Sequence, residues 1–348
     1  MDQPSAKPRD NPWLDLVRLP SARRIVIMLF TSLALFIAFD RLLLQVMKRT
    51  PASNLAGRVL RDQELLLERP DARRLLALGD SRIKWMANPK LLSPGLGLPE
   101  GSGLNISLPA TYVADDLAVL HWLESSGVLD DTKVLLWGMG FDRFHPDVHS
   151  PLNVHAFFDP WARGHRFNGI SDAMFAAAAP SVLARANLQA MLQEKGVRRT
   201  LRDALDYDPQ TDRQALGFVV NTAKPNPNVG IGPFFNLPRV DGELARRTID
   251  RAVRIKARGV RVIVVDTPVA PVLYRFYVEK RADAWAAYLR FLEDLEKAGV
   301  EVLRDNPTSL PPEVFTDAVH LTADAAESYL KDLIRRLNGP RQASVQGP

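Results

Sequence analysis

The chain has 348 residues, 46% of them hydrophobic and 24% charged, which provides for a large core and excludes an intrinsically disordered protein. Cysteine is absent, so disulfides, thiolate metal sites and a cysteine nucleophile are excluded. The 45 Lys and Arg exceed the 40 Asp and Glu by 5 and are scattered among acidic neighbours without forming a stripe, which argues against nucleic-acid binding.

Residues 1–24 read as a short cytoplasmic tail, polar and broken by Pro4, Pro8, Pro12 and Pro20. Arg23 and Arg24 then precede an uncharged run from Ile25 to Phe39, and after Asp40-Arg41 the apolar pattern resumes from Leu42 to Met47. Fifteen residues rise only about 22 Å as a helix, short of a hydrocarbon core of about 30 Å. Extending the segment past Arg41, which snorkels to the interface with Asp40 beside it, predicts one transmembrane anchor over 25–47. A cleavable signal peptide lacks its small-x-small site here, Ile37-Ala38-Phe39 being the nearest approach. A buried core helix is the other reading of the same run. Lys7, Arg9, Arg18, Arg23 and Arg24 before the span outnumber Arg41, Lys48, Arg49 and Arg58 after it. That balance favours an inner amino terminus and a domain outside the cytoplasm.

Residues 48–73 form a juxtamembrane linker, with an amphipathic helix expected over Ser53 to Arg69. The domain proper is expected over 74–338, and 339–348 is a polar tail. Its first strand, Leu75-Leu76-Ala77-Leu78, runs directly into Gly79-Asp80-Ser81-Arg82, which delivers a hydroxyl at a strand's carboxyl end. A helical turn ends at Pro89, a strand covers Leu104 to Ser107, a helix covers about Thr111 to Ser125, and Lys133 to Trp137 is a third strand before Gly138-Met139-Gly140-Phe141-Asp142. Strand, helix, strand with short links is the pattern of a parallel sheet. From about 143 to 240 the pattern breaks into an insertion expected to lie over the sheet's carboxyl edge, with an Ala-rich helical stretch over Ser171 to Gln193. His145, His149, His155 and His165 lack helical i, i+4 spacing and stand among prolines, so they read as loop residues and not as a metal site. A helix over Gly242 to Ala257, a strand over Val260 to Asp266 and a loop carrying Tyr274, Phe276 and Tyr277 follow. Next come a helix over Ala282 to Lys297, a strand over Val300 to Leu303, the loop Asp317-Ala318-Val319-His320, and a last helix over Ala323 to Leu337 capped by Thr322.

Ser81 is a weak nucleophile unless a base takes its proton. His320 is the base at hand, with Asp317 to hold its tautomer and stabilise its charged form. The serine ends the first core strand and the histidine follows the last, which a doubly wound sheet brings to one edge. The Ser81 backbone amide is the first candidate donor to a developing oxyanion.

The order of these motifs resembles the SGNH, or GDSL, hydrolase superfamily: Gly79-Asp80-Ser81 matches its first block and Asp317-Ala318-Val319-His320 its last. In particular the chain looks like the membrane-anchored, DltD-like and alginate-acetylation-like proteins of envelope polysaccharide modification, which partner membrane-bound O-acyltransferases. The resemblance implies a flavodoxin-like three-layer α/β/α sandwich behind one amino-terminal transmembrane helix, a serine acyl-enzyme and no cofactor or metal. It also implies an envelope polysaccharide as substrate and a place on the outer face of a bacterial cytoplasmic membrane. In its second block the superfamily usually has a glycine where this chain has Asn105-Ile106-Ser107, and in its third Gly-x-Asn-Asp where this chain has Gly138-Met139-Gly140-Phe141-Asp142. Ser107, Asn105, Gly140 and Arg82 are therefore the candidates for oxyanion or substrate contacts. The expected activity is O-acyl transfer or ester hydrolysis on a glycan. The alternatives are a noncatalytic glycan-binding or assembly subunit, with Trp161, Phe157, Phe158, Tyr274 and Tyr277 stacking on sugars, and a soluble lipase.

Overall fold

A computed structural model of the chain describes residues 20–50, 55–144, 185–226, 240, 242–304 and 310–339. Five strands form one wholly parallel sheet: β1 (Leu75–Leu78), β2 (Gly103–Asn105), β3 (Val134–Met139), β4 (Arg261–Asp266) and β5 (Glu301–Leu303), in the order β2-β1-β3-β4-β5. This is a doubly wound order, with the topological switch between β1 and β3. In register, Leu75 faces Gly103 on one side and Val134 on the other, and Val134 in turn faces Arg261.

Alternation along the strands sorts the core into two layers. Leu76, Leu78, Leu135, Trp137, Val262 and Val264 face one side, where α5 (Val113–Ser125), α8 (Gly242–Ala257) and α10 (Ala282–Lys297) pack. Leu75, Ala77, Leu136, Ile263 and Val265 face the other, covered by α3 (Ser81–Met86), α4 (Pro89–Gly95) and α11 (Ala323–Asn338). Both faces are therefore dry, which is why these strands read as unbroken apolar runs. On α11, Leu330 and Leu333 are fully buried at helical spacing, and each such side chain contributes about 1.5–3 kcal/mol.

Two further helices lead into the sheet. The first, α1 (Pro20–Lys48), contains a segment Arg23–Lys48 whose most apolar 18 residues have a mean hydropathy of 2.1, long and apolar enough to cross a membrane. The helix continues through Asp40-Arg41. Arg41 is exposed as the sequence suggests, but Asp40 is buried, because with Leu44 and Met47 it forms the face that α1 turns to the protein. The linker helix α2 (Leu55–Glu68) buries Val59, Leu65 and Leu66.

The loop expected after Asp266 is largely a helix, α9 (Pro271–Lys280): Pro271 occupies its first turn, where no N–H is needed, and Leu273 and Tyr277 face inward one turn apart. Within the insertion, residues 145–184 and 227–239 lie outside the described residues, and with them the four histidines, Phe157, Phe158, Trp161 and most of the Ala-rich stretch. What is described is α6 (Arg185–Leu205), two helical pieces on either side of a break at Gly196, the first of which ends close to the expected Gln193, then α7 (Pro209–Ala215) and a strap over residues 216–226.

Candidate active site

The turn after β1 is shaped by packing. Gly79 has φ +152°, and a Cβ there would lie 2.8 Å from Ile83 and 3.3 Å from the Gly138 carbonyl. Ile83, fully buried, fills the gap between these two glycines and draws α3 onto the ends of β1 and β3. Asp80 caps α3, its Oδ1 accepting from the Arg82 amide at 3.0 Å. Ser81 is therefore the first helical residue, and the first-turn amides of a helix have no partner within it.

At the opposite end of the chain, Phe315 and Leu321 bridge as an antiparallel pair, and the Thr316 amide donates to the His320 carbonyl at 2.8 Å. Asp317 Oδ1 accepts from the Val319 and His320 amides at 2.9 Å each, folding the loop so that Oδ2 meets His320 Nδ1 at 2.5 Å. His320 Nε2 lies 2.6 Å from Ser81 Oγ, across 239 residues of sequence. The sheet brings Ser81, His320 and Asp317 together as the motifs suggested. With Asp317 ionised, Nδ1 carries the imidazole proton and Nε2 presents its lone pair to the serine hydroxyl. Burial would raise Asp317, but the hydrogen bond from His320 and the two amides outweigh it and hold the carboxyl below its usual range. Trp85, one turn along α3, packs against the imidazole with ring centroids 4.2 Å apart.

Beneath the nucleophile lies a buried ionic cluster. The Arg82 guanidinium donates to both Asp80 oxygens, at 2.9 Å and 2.6 Å to Oδ2, and to Asp142 at 2.9 Å and 3.3 Å. It thereby ties the end of β1 to the turn after β3. Arg143 donates to the Gly138 carbonyl at 2.6 Å and to Asp116 at 2.8 Å, and Asp116 also accepts from the Trp137 indole at 2.7 Å. Burial opposes the charge on Asp80, yet Arg82 and Arg143 prevail and take it down to about 2. At Asp116 burial prevails over Arg143 and Trp137, and the carboxyl is pushed up to about 6.

The remaining sequence candidates divide. Arg82 and Gly140 meet at the site: a Cβ on Gly140 would lie 2.6–2.8 Å from the guanidinium, so Arg82 occupies the space that a side chain at 140 would need. Asn105 and Ser107 are committed to structure. The Asn105 amide donates to the Ile83 and Ala87 carbonyls at 2.9 Å each, closing the end of α3, and its Oδ1 accepts from the Ser107 amide at 3.1 Å. The Ser107 hydroxyl donates to the Ala77 carbonyl at 3.2 Å. Both residues are fully buried.

Two positions escaped the sequence reading. Asn221, in the strap, donates to Thr316 Oγ1 at 3.2 Å and to the Leu321 carbonyl at 2.8 Å, gripping the histidine loop on both sides. Lys84, fully buried on α3, donates to the Asn105 carbonyl at 3.0 Å and to Asp62 of α2 at 3.3 Å. A helix periodicity reading places Lys84 beside polar neighbours and gives no sign that it is inside. Asn221 lies in the irregular insertion, where spacing carries no signal.

Trp85, Met86, Pro268, His320 and Ala326 border a small cleft at the relay. A larger open groove is lined by Glu68, Lys90 and Gln210 and includes neither Ser81 nor His320; the geometry of the relay, and not cavity size, selects the site. Among the described residues no group of three or more His, Asp or Glu is arranged to hold a metal ion.

A model of a family without characterised function matches residues 207–338, which is less than half of the chain. That segment carries the strap, β4, β5 and the Asp317–His320 loop, and leaves out Ser81. A comparison with curated proteins gives no match.

Proposed function

We propose that this chain is a membrane-anchored serine acyltransferase or esterase of the SGNH type, acting on a cell-envelope polysaccharide and moving acetyl groups through a Ser81 acyl-enzyme. The observation that carries the reading is the relay itself: Ser81 Oγ, His320 and Asp317 in hydrogen-bonding series at the carboxyl edge of a parallel sheet. The doubly wound order and two helical layers agree with the flavodoxin-like sandwich that the superfamily resemblance implies. The apolar helix α1 supports an anchor; the domain on the outer face of a bacterial cytoplasmic membrane and a membrane-bound O-acyltransferase as partner belong to the proposal and rest on the superfamily resemblance.

In this scheme Ser81 Oγ attacks the acyl carbonyl as His320 Nε2 takes its proton, and Asp317 stabilises the resulting imidazolium. The tetrahedral oxyanion is met by the Ser81 amide at the start of α3. Collapse breaks the bond to the leaving oxygen, which receives the proton from His320, and leaves Ser81 acylated. A glycan hydroxyl, or water in the hydrolytic case, then gives its proton to Nε2 and attacks the ester carbonyl; collapse breaks the bond to Ser81 Oγ, which takes that proton back from His320, and the acyl group leaves on the glycan oxygen or as the free acid.

A fluorophosphonate probe on the folded full chain tests the scheme: a Ser81 adduct is expected, absent in Ser81→Ala and much slower to form in His320→Ala. No adduct on the folded protein would overturn it. The internal commitment of Asn105 and Ser107, which occupy the superfamily's second block, favours a second reading: a noncatalytic glycan-binding or assembly subunit. Saturable glycan binding that survives Ser81→Ala, without acyl turnover, would select that reading.

A further inference from the structure

The described part of the insertion carries an apolar surface that the catalytic scheme does not use. After a break at Gly196 (φ 71°, ψ 158°), the last turns of α6 expose Val197 at 60%, Leu201 at 47% and Leu205 at 80%. These stand four residues apart and so form one continuous ridge along the helix. Thr200 and Ala204, adjacent around the circumference, are buried. α6 packs on α1, whose inward face is Asp40, Leu44 and Met47. The apolar residues of α1 from Ile25 to Phe39, and Leu42, are exposed. The ridge thus lies on a helix that packs against the apolar helix, whose Arg41 is expected to reach the interface. Arg198 and Arg202, both exposed, border the ridge on its outer side, which is the arrangement of a helix lying in a lipid interface, with apolar residues in the acyl boundary and arginines among the phosphates.

We propose that residues 197–205 of α6 form a second, peripheral membrane contact, lying in the bilayer interface beside α1 and fixing the tilt of the domain on its anchor. The proposal rests on the reading that α1 spans a bilayer. A lipid bilayer, and not a protein, is the occupant argued for, because the ridge extends the surface that α1 would present to lipid. The strap follows α6 and α7 directly and grips both the nucleophile helix and the histidine loop, so the same contact would set how the active site stands over the membrane.

The chain has no cysteine, so a single introduced cysteine gives one attachment point for a nitroxide. Full-length Val197→Cys, Leu201→Cys and Leu205→Cys, with Arg199→Cys and Leu33→Cys as references, are labelled in nanodiscs of phosphatidylcholine and phosphatidylglycerol. The measurement is the ratio of collision rates with oxygen and with a water-soluble nickel complex. The three ridge labels are expected to show ratios severalfold above that of Arg199→Cys and approaching that of Leu33→Cys. Ridge ratios equal to that of Arg199→Cys overturn the proposal. So does shielding from both probes, which would mean that a second copy or another protein covers the ridge. A water-like ratio at Leu33→Cys would sink the anchor reading itself, whereas a lipid-like Leu33→Cys beside water-like ridge labels sinks the interfacial helix alone.

Discussion

Replacing Gly140 by alanine adds one methyl group against the Arg82 guanidinium and tests whether the buried cluster holds the end of β1 in place. The new Cβ would lie 2.6 Å from Nη1, 2.7 Å from Nη2 and 2.8 Å from Cζ, against about 3.5–4.0 Å for an unstrained contact. The guanidinium must therefore retreat by about 1 Å. Its bonds to Asp80 and Asp142 span 2.6–3.3 Å, so a shift of that size takes several of them past the hydrogen-bonding limit. Weakening a buried charge pair without removing its members leaves part of the desolvation uncompensated, and we expect a loss of about 3 kcal/mol. The backbone at 140 is extended (φ −155°), so the methyl group adds no conformational strain of its own. Urea unfolding of the full chain in micelles, followed by tryptophan fluorescence, measures the loss. The decisive comparison is a double-mutant cycle with Arg82→Met, which by itself is strongly destabilising because Asp80 and Asp142 lose their partner. In that background Gly140→Ala should cost under about 0.5 kcal/mol, since the space is vacated. An equal cost in both backgrounds would refute the argument that Arg82 is what Gly140 accommodates.

Three further outcomes follow from the same geometry. Asp317→Asn keeps the loop's shape but removes the carboxylate that fixes the His320 tautomer, so fluorophosphonate labelling of Ser81 should slow by a factor on the order of 10³–10⁴; an unaltered rate excludes a relay. Asp80 sits at about 2 against an ordinary 3.8, so its ionised form stabilises the fold above the ordinary value, by about 2 kcal/mol, and that contribution is lost as the pH falls through about 2. Asp80→Asn keeps a capping side chain without the charge, and its deficit relative to wild type in acid titrations of unfolding should shrink toward pH 2; a constant deficit from neutral pH downward contradicts the assignment. Asn221→Ala strips a donor from both Thr316 Oγ1 and the Leu321 carbonyl, so a loss of about 1–2 kcal/mol is expected together with slower Ser81 labelling, and a stable variant with wild-type labelling would show that the strap does not position the histidine.

The parts of the site that were legible in the sequence are those that local chemistry marks. Leu75 to Leu78 is an apolar run closed by Gly-Asp-Ser, and Asp317 and His320 stand at a spacing that one loop satisfies; their meeting needed only the rule that ligand sites gather at the carboxyl ends of parallel strands. The strand positions were legible for the same reason, since strands covered on both faces have no polar alternation to confuse them. Arg82 was not legible as a buried residue. Its partners are Asp80, two residues away, and Asp142, sixty residues away, and only the β1–β3 pairing brings the second within reach. In sequence such an arginine reads as a surface ion pair. Asn105 was misleading in the opposite sense: its place at the end of the second strand suggested a donor to substrate, whereas its amide closes the carboxyl end of α3. The segment expected as a loop after β4 is the helix α9, since a proline in the first turn, here Pro271, is compatible with a helix.

The strap over 216–226 joins these observations physically. Its Leu216 carbonyl accepts from the Asn105 amide at 2.9 Å on the open edge of β2, and its Val219 amide donates to the Lys84 carbonyl on α3 at 3.4 Å. Two residues on, Asn221 reaches the histidine loop, and the Asn226 amide donates to the Phe315 carbonyl at 3.0 Å. A Cβ on Gly217 would lie 2.1 Å from the Asn105 carbonyl oxygen, so the strap reaches this edge only because that residue has no side chain. The nucleophile and its base thus belong to segments 239 residues apart that are stitched to one piece of the insertion, over and above their own contact. Lys84 adds a third tie, from the same helix α3 to Asp62 on the linker helix α2. A displacement of α2 or of the strap would be transmitted to the 2.6 Å separation of Ser81 Oγ and His320 Nε2, because Asp62 of α2 holds Lys84 on the serine's helix and Asn221 of the strap holds the histidine loop. The relay is therefore coupled, through these ties, to how the linker helix α2 and the strap are seated.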